Sequence, residues 1–212
     1  MKKSFLFVMV FVAVLTLQAQ TLNTIFVNMP DSLSPLLTKN DRADFADFLD
    51  SKMKAQVKNK FEKVSEMKIL TKDYLFLQTT SQTILQMKLL PINDSTKIVC
   101  LITTACAPAC DSRIRFFTPE WKELSAKEYV TLPTIDAFWQ FPDSINHEQR
   151  EIIRDKMDSF FLKAELAAVD NSLTFSNTTM DYLDKDTAKE LLIYLKQTPI
   201  KLQWSEGGYR KK

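Results

Sequence analysis

Glycine is nearly absent from this sequence, and its scarcity excludes several well-defined kinds of site. The 212 residues include 2 glycines, Gly207 and Gly208, and both lie near the end of the chain. A P-loop, a G-x-G-x-x-G turn and the G-x-S-x-G turn of α/β-hydrolases all need glycine where the backbone meets a ligand or turns sharply. Nucleotide-binding and α/β-hydrolase functions are therefore not expected.

Histidine is equally scarce, because His147 is the only one. A single histidine cannot build an H-E-x-x-H sequence or a zinc site with several histidines. A Ser-His-Asp triad would have to use His147. This residue follows Asn146, and the local sequence is typical of the first turn of a helix. We expect an exposed side chain there, and the sequence predicts no metal and no cofactor.

The chain also lacks an excess of charge of either sign, with 28 basic and 26 acidic residues. The first 19 residues hold two lysines, Lys2 and Lys3, and no acid, so 28 less 2 leaves 26 basic residues against 26 acids in the remainder. A neutral protein has no general field that attracts phosphate backbones, so nucleic-acid binding is not expected. The closing residues, Arg210 to Lys212, are expected to form a solvated tail.

The N-terminus carries the strongest pattern in the sequence. Lys2 and Lys3 precede an apolar run from Phe5 to Leu17, and the small Ala19 follows at a suitable cleavage position. A spanning helix needs about 20 apolar residues, and polar residues interrupt this run too early. We interpret residues 1–19 as a signal peptide and residues 20–212 as the mature protein, which has no membrane span once the signal is removed.

Location follows from this interpretation. A signal peptide directs the mature protein to the periplasm or the cell exterior. A lipoprotein would need a cysteine just after the apolar run, whereas the first cysteine is Cys100. The mature protein is therefore expected to be soluble, exported and not lipid-anchored.

Residues 31–61 are predicted to be helical. Ser34 before Pro35 is typical of a helix start, and Thr38 or Asp41 can cap a second helix. Apolar residues then recur at steps of three and four, which predicts one buried face. These residues are Phe45, Phe48, Leu49, Met53, Val57 and Phe61.

From about residue 64 to 132 the apolar period changes to two, which is typical of half-buried strands. Short connections separate the runs, so neighbouring strands should pair antiparallel in a meander. Residues 98–102 are apolar at every position and predict a central strand covered on both faces. The alternating residues expected to be buried are Leu75, Leu77, Leu85, Met87, Leu89, Ile114 and Phe116.

The last third of the chain mixes both periods. Asn146 with Gln149 predicts the capped start of one helix, and Asp184 predicts the start of another that ends before Pro199. Residues 162–169 fit either a strand or a helix, and a final strand is predicted from Ile200 to Trp204.

Together these patterns predict an α+β fold. Its antiparallel β-meander sheet has N-terminal helices and two further helices in the C-terminal third. The mature chain is long enough for one sizeable core. We expect a single mature domain from residue 20 to 212, or two packed lobes at residues 20–142 and 143–212.

Three cysteines in an exported protein allow at most one disulfide within the chain. Cys106 and Cys110 flank Ala-Pro-Ala at a predicted hairpin tip, where Cα atoms can come within the roughly 4.4–6.8 Å that a disulfide requires. A structural disulfide is the favoured interpretation, and redox exchange, zinc binding and two free thiols stay open. Cys100 lies in the apolar strand and is expected to be an inert buried thiol.

Two sets of residues could contact a ligand or partner. Arg113 and Arg115 share one face of a strand, about 6–7 Å apart, and could hold an anion or simply face solvent. The segment Phe138-Trp139-Gln140-Phe141-Pro142, with Trp121, could stack on sugars or anchor a partner, or belong to the core.

Three segments carry a resemblance to a known family. They are Met29-Pro30-Asp31-Ser32-Leu33, Gln86-Met87-Lys88-Leu89-Leu90-Pro91, and Cys106-Ala107-Pro108-Ala109-Cys110-Asp111-Ser112 with Arg113-Ile114-Arg115-Phe116. The chain resembles a domain-of-unknown-function family of exported proteins from gut Gram-negative bacteria along nearly its whole mature length. The resemblance implies export and assigns no activity to any residue.

Two functional hypotheses from different classes follow. The first is a non-enzymatic binding or adaptor module of the cell envelope, whose partner is an envelope protein or a glycan. The alternative is an enzyme of unrecognised type that uses acidic residues such as Glu120 and Glu123, or the Cys106 and Cys110 thiols. Two acids converging in a cleft with separated pKa values would favour the enzyme, and an exposed aromatic patch would favour the binding module.

Overall fold

The computed structural model describes residues 21–211, which form two antiparallel β-sheets and five short α-helices. The predicted signal peptide, residues 1–19, lies outside the described residues. The fold is α+β, as predicted, with two helices before the first strand, three helices between later strands, and a strand at the end of the described chain.

The larger sheet has seven strands that neighbour one another in chain order, each pair antiparallel. The meander predicted from about residue 64 is therefore confirmed, and the sheet has one further strand at its start, within residues 31–61, which were predicted to be helical. Its strands are β1 (Gln56–Lys58), β2 (Val64–Leu70), β3 (Tyr74–Thr80), β4 (Thr83–Pro91), β5 (Lys97–Cys106), β6 (Cys110–Phe117) and β7 (Glu123–Leu124).

Strands β4 and β5 are buried on both faces, because side chains alternate along a strand and each face of the sheet is covered. Val99 and Leu101 face the N-terminal helices, whereas Ile98, Cys100 and Ile102 face the second sheet. The predicted two-sided burial of residues 98–102 is confirmed. Of the alternating residues expected to be buried elsewhere in the sheet, all are buried except Ile114, which is half-buried.

Two helices cover one face of the large sheet, α1 (Leu22–Val27) and α2 (Lys39–Asp50). Thr38 caps α2, because its hydroxyl accepts from the Asp41 amide while the Asp41 carboxylate accepts from the Thr38 amide. Such a reciprocal pair satisfies two amides that the helix itself leaves without partners. Helix α1 was not predicted, since six residues give too short a pattern.

The prediction of helix throughout residues 31–61 is wrong at both ends. Ser34 and Pro35 lie in turns, and α2 ends at Asp50. The helix ends where Lys52 adopts a left-handed backbone, φ 55°, and the amide of the next residue bonds back into the helix, as at many helix C-termini. Phe61, predicted to be buried, is consequently exposed in the turn after β1.

The smaller sheet has the order β11-β10-β9-β8, all antiparallel. Its strands are β8 (Leu162–Leu166), β9 (Ser172–Asn177), β10 (Ile200–Ser205) and β11 (Gly208–Arg210). The ambiguous residues 162–169 thus begin with a strand. Strand β11 was not predicted, and its Arg210 is not part of a solvated tail.

Three helices connect or flank the sheets: α3 (Ala126–Tyr129), α4 (His147–Arg154) and α5 (Lys185–Leu192). The predicted caps of the last two are confirmed, with Asn146 and Gln149 bonded reciprocally and Asp184 accepting from two amides of the first turn. His147 is exposed in the first turn of α4, as expected.

The two sheets share one hydrophobic core. Residues from both sides of position 142 enter the same buried cluster, for example Phe116 of β6 and Phe175 of β9. Among residues 21–211, no helix combines the length and apolar character needed to cross a bilayer.

Candidate functional site

The segment after the large sheet joins the two sheets along one side. Helix α3 contacts β6 of the large sheet and β11 of the small one. Tyr129 anchors the segment, with its ring centroid 4.9 Å from that of Phe116 and 6.2 Å from that of Trp204. Val130 is buried beside it. Because these side chains point inward, their neighbours Lys127, Thr131 and Leu132 are exposed.

A groove of about 670 Å³ lies between this segment and strands β10 and β11. We call it the basic groove, because three cations and one acid, Glu128, are among its lining residues. Its cations are Lys127, Arg210 and Lys211, and its apolar lining comes from Leu132, Pro133, Ala137, Ile200, Leu202 and Tyr209.

A second cavity of about 580 Å³ adjoins the basic groove, and we call it the apolar extension. Ile114, Ala126 and Val130 line it, together with residues that it shares with the basic groove. The shared residues are Lys127, Thr131 and Leu132. Leu132 lines both cavities and is 51% exposed, so its apolar side chain is presented to solvent there.

The cations of the basic groove are not neutralised by the protein. Within the described residues, no carboxylate lies within 4.0 Å of Lys127, Arg210 or Lys211. The Arg210 guanidinium makes one hydrogen bond, donated to the Tyr209 carbonyl at 3.1 Å. Clustered cations without partners attract anions, so the groove is electrostatically suited to a negatively charged ligand.

Tyr209 closes the inner side of the groove. Its hydroxyl is buried and has no hydrogen-bond partner among the described residues. Burial raises the pKa of the Tyr209 phenol well above 10, and the Cys100 thiol and the Asp170 carboxylate raise it further. The phenol is therefore neutral at physiological pH and adds no negative charge next to the three cations.

Arg113 and Arg115 lie outside the core, as the strand pattern predicted, but away from the basic groove's lining. Arg115 forms a two-pronged ion pair with Glu123, with Nε to Oε1 at 2.8 Å and the second bond at 2.7 Å. This pairing lowers the pKa of Glu123. Glu123 is therefore held as a carboxylate, whereas a catalytic acid would need a raised pKa. Glu120 is exposed in the adjoining loop.

Trp121 connects the N-terminus to the large sheet. Its indole Nε1 donates to the Ile25 carbonyl of α1 at 3.0 Å, and its ring lies 5.3 Å from that of Phe117. It is half-buried by these contacts. The side chain thus has a packing role in holding α1.

The aromatic segment at residues 138–142 does not form one patch with Trp121. Phe138 and Trp139 are buried in the core between the sheets, whereas Trp121 packs at the helix-covered face. Phe141 is half-buried and lines a separate shallow cleft of about 430 Å³. The guanidinium groups of Arg150 and Arg154 lie 5.5 and 5.6 Å from its ring centre.

The Sγ atoms of Cys106 and Cys110 lie 2.00 Å apart, at disulfide distance. The two residues lie directly opposite each other at the end of the β5–β6 hairpin. Their Cα atoms are 3.9 Å apart, closer than the range expected from the sequence. Cys100 is a buried free thiol whose pKa burial raises. Within residues 21–211, no cluster of histidine, cysteine or acidic residues is arranged to hold a metal ion.

The groove residues were not recognised in the sequence as a site. Lys127 carried no pattern, and Arg210 and Lys211 were interpreted as a tail. The signal that could have revealed β11 is Gly207 with φ 71°, in a tight turn after β10 that favours glycine. Glu206 and Gly207 form the two-residue turn between Ser205 of β10 and Gly208 of β11, and glycine at such a position is a hairpin signal.

Comparisons with known proteins concern the family and the fold. A family model described as "Protein of unknown function (DUF3256)" matches residues 14–209. A solved structure, described as a domain of an uncharacterized protein from Porphyromonas gingivalis W83, is similar with a TM-score of 0.78 and 23% identity over 90% of this chain and 97% of that one. At this identity the likeness concerns the fold alone. No curated protein matches the chain.

Proposed function

The chain belongs to the DUF3256 family, proteins of unknown function, and we propose that it is an exported, non-enzymatic binding module of the cell envelope with the basic groove as its ligand site. One observation carries this proposal: three cations, which have no carboxylate partner among residues 21–211, stand beside exposed apolar surface in a groove of about 670 Å³. Ligand sites are typically concave, largely apolar and roughly 300–1,000 Å³ in volume, with a few polar groups that orient the ligand.

Export is supported by two independent features. The pattern of residues 1–19 is typical of a signal peptide. The Cys106–Cys110 pair suits an oxidising compartment, where disulfides form and persist. Cys100 is buried within β5 and so is no acceptor for a lipid, which supports an unlipidated protein in the periplasm or outside the cell.

The alternative, an enzyme using acidic residues or the hairpin thiols, has weaker support. Glu123 is paired with Arg115 outside the groove. The Cys106–Cys110 bridge lies at a hairpin end, where the Thr178 hydroxyl donates to the Cys110 carbonyl at 2.6 Å. Both features are explained by structural contacts. The partner expected from sequence, an envelope protein or a glycan, stays a prediction.

Site-specific photocrosslinking tests the binding role of the groove. Benzoylphenylalanine would replace Leu132, which lines both cavities, in the exported protein within living cells. Val169 is the matched control, because it is an apolar residue that is 96% exposed in the turn between β8 and β9. We expect a discrete adduct from position 132 and none from position 169. No adduct at either position, or the same adducts at both, would contradict the proposal.

A further inference from the structure

We infer that the ligand of the basic groove is a medium-chain fatty-acid anion, a carboxylate on a flexible hydrocarbon chain. The inference rests on the proposed function, since it names the ligand class of the same site. It follows from the way in which charge and apolar surface are distributed between the two adjoining cavities.

The basic groove suits the carboxylate. Arg210 and Lys211 line this cavity and do not line the apolar extension, so two of the three cations belong to the basic groove alone. An arginine presents a planar set of donors that matches a carboxylate, and a lysine adds a point charge. Since no carboxylate among residues 21–211 pairs with either side chain, an incoming carboxylate displaces none of the ion pairs in this part of the chain.

The apolar extension suits the hydrocarbon chain. Its wall is formed by Ile114, Ala126, Val130 and Leu132. Lys127 and Thr131 are the polar residues of its lining, and both are shared with the basic groove. A methylene chain that lies along this wall gains stability from each apolar contact, while its charged end stays beside Arg210.

The same distribution disfavours other ligand classes. A glycan requires hydrogen-bonding groups along its whole length, and the extension offers mainly aliphatic side chains. A free phosphate would use the cations and leave the extension without a role. A ligand with one negative end and one apolar end uses both cavities.

Calorimetric titration of the purified protein with decanoate tests this inference directly. We expect saturable one-to-one binding of decanoate, weaker binding of octanoate, and none of acetate at the same concentrations. Each methylene that is buried should tighten binding up to about fourfold. Decyltrimethylammonium, which has the same chain length and the opposite charge, should not bind at the site.

Two variants separate the charged end from the apolar end. Arg210→Gln should weaken decanoate binding about two- to fivefold, as for a partly exposed ion pair, while Lys72→Gln, a charge removal in the turn before β3, should leave it unchanged. Leu132→Ser should reduce the difference in affinity between decanoate and octanoate. Both groove residues are exposed, so neither substitution should disturb folding, which circular dichroism would verify.

Several outcomes would overturn the inference. The first is that decanoate does not bind, and the second is that decanoate and decyltrimethylammonium bind equally. The third is that Arg210→Gln and Lys72→Gln lower the affinity for decanoate by the same factor. A specific photoadduct at position 132 without decanoate binding would retain the groove as a ligand site and exclude fatty-acid anions. The failure of this inference is thus distinguishable from the failure of the proposed function.

Discussion

Two buried cations illustrate how single residues determine this structure. The Arg42 guanidinium donates to the Met29 carbonyl at 2.6 Å, to the Leu37 carbonyl at 2.9 Å and to the Asp31 carboxylate at 3.0 Å. It therefore fixes the loop between α1 and α2. Lys88, also buried, pairs with Asp73 at 3.3 Å and donates to the Ala167 and Ala168 carbonyls in the connection between β8 and β9. Buried charges are tolerated only when such partners replace water.

Replacing Arg42 should cost stability through the acceptors that it leaves behind. Arg42→Met keeps much of the side-chain volume but removes the donor to the Val27, Met29 and Leu37 carbonyls, and each buried unsatisfied group costs about 1–3 kcal/mol. We expect the free energy of unfolding, measured by urea denaturation, to fall by about 2–4 kcal/mol. Asp31→Asn is the control, because the Asp31 side chain is 63% exposed and should contribute under about 1 kcal/mol. A similar small loss in both variants would show that Arg42 does not organise the loop.

At the scale of elements, strand β8 gives a structural role to residues in two of the three segments that resemble the family. It is an edge strand of the small sheet, and side chains of the large sheet bond to its free backbone groups. The Asp111 carboxylate accepts from the Leu162 amide at 3.2 Å, and the Ser112 hydroxyl accepts from the Ala164 amide at 2.9 Å. Gln86 donates to a β8 carbonyl at 3.4 Å. These bonds cover an edge that could otherwise pair with another chain.

Ser112→Ala should loosen this contact between the sheets. The substitution removes the acceptor of the Ala164 amide and a hydrogen bond to the Thr104 hydroxyl at 2.7 Å. We expect faster hydrogen exchange at the Ala164 amide and a loss of about 1–2 kcal/mol in unfolding free energy. Ser144→Ala, in an exposed turn, should change neither quantity. Unchanged protection of Ala164 would mean that β8 is held by apolar packing alone.

The sequence predicts elements best where a local pattern determines them. Strands β2 to β6 follow from period two and short turns, whereas β1 lies in a region predicted to be helical. The caps of α4 and α5 follow from residues beside them. The end of α2 does not, because it depends on Lys52 in a left-handed backbone, a conformation that lysine does not signal. The basic groove could not be predicted either, since it forms only when α3 and β11, distant in sequence, are brought together by tertiary packing.

At the scale of the whole molecule, neutrality and local charge coexist. The chain after residue 19 has as many acids as bases, yet the basic groove concentrates cations at one place. Its field is short-ranged, because salt screens exposed charges beyond about 8–10 Å at physiological ionic strength. The protein should therefore select small anions at the groove without collecting polyanions over its surface, which agrees with the expectation that it does not bind nucleic acid.

The proposed export makes one further prediction about the whole chain, which intact-mass spectrometry of protein from the envelope fraction can test. We expect a chain that begins at Gln20 or within a few residues of it, with Cys106 linked to Cys110 and Cys100 free. The linked loop is short, and the entropic stabilisation by a disulfide grows with the logarithm of loop length. Reduction should therefore cost about 1–2 kcal/mol and lower the melting temperature by only a few degrees. A mass that includes Met1 would contradict cleavage of a signal peptide. Cys100 found in a disulfide would contradict the cysteine assignment, because its thiol is buried within β5 and would have to leave the core to react.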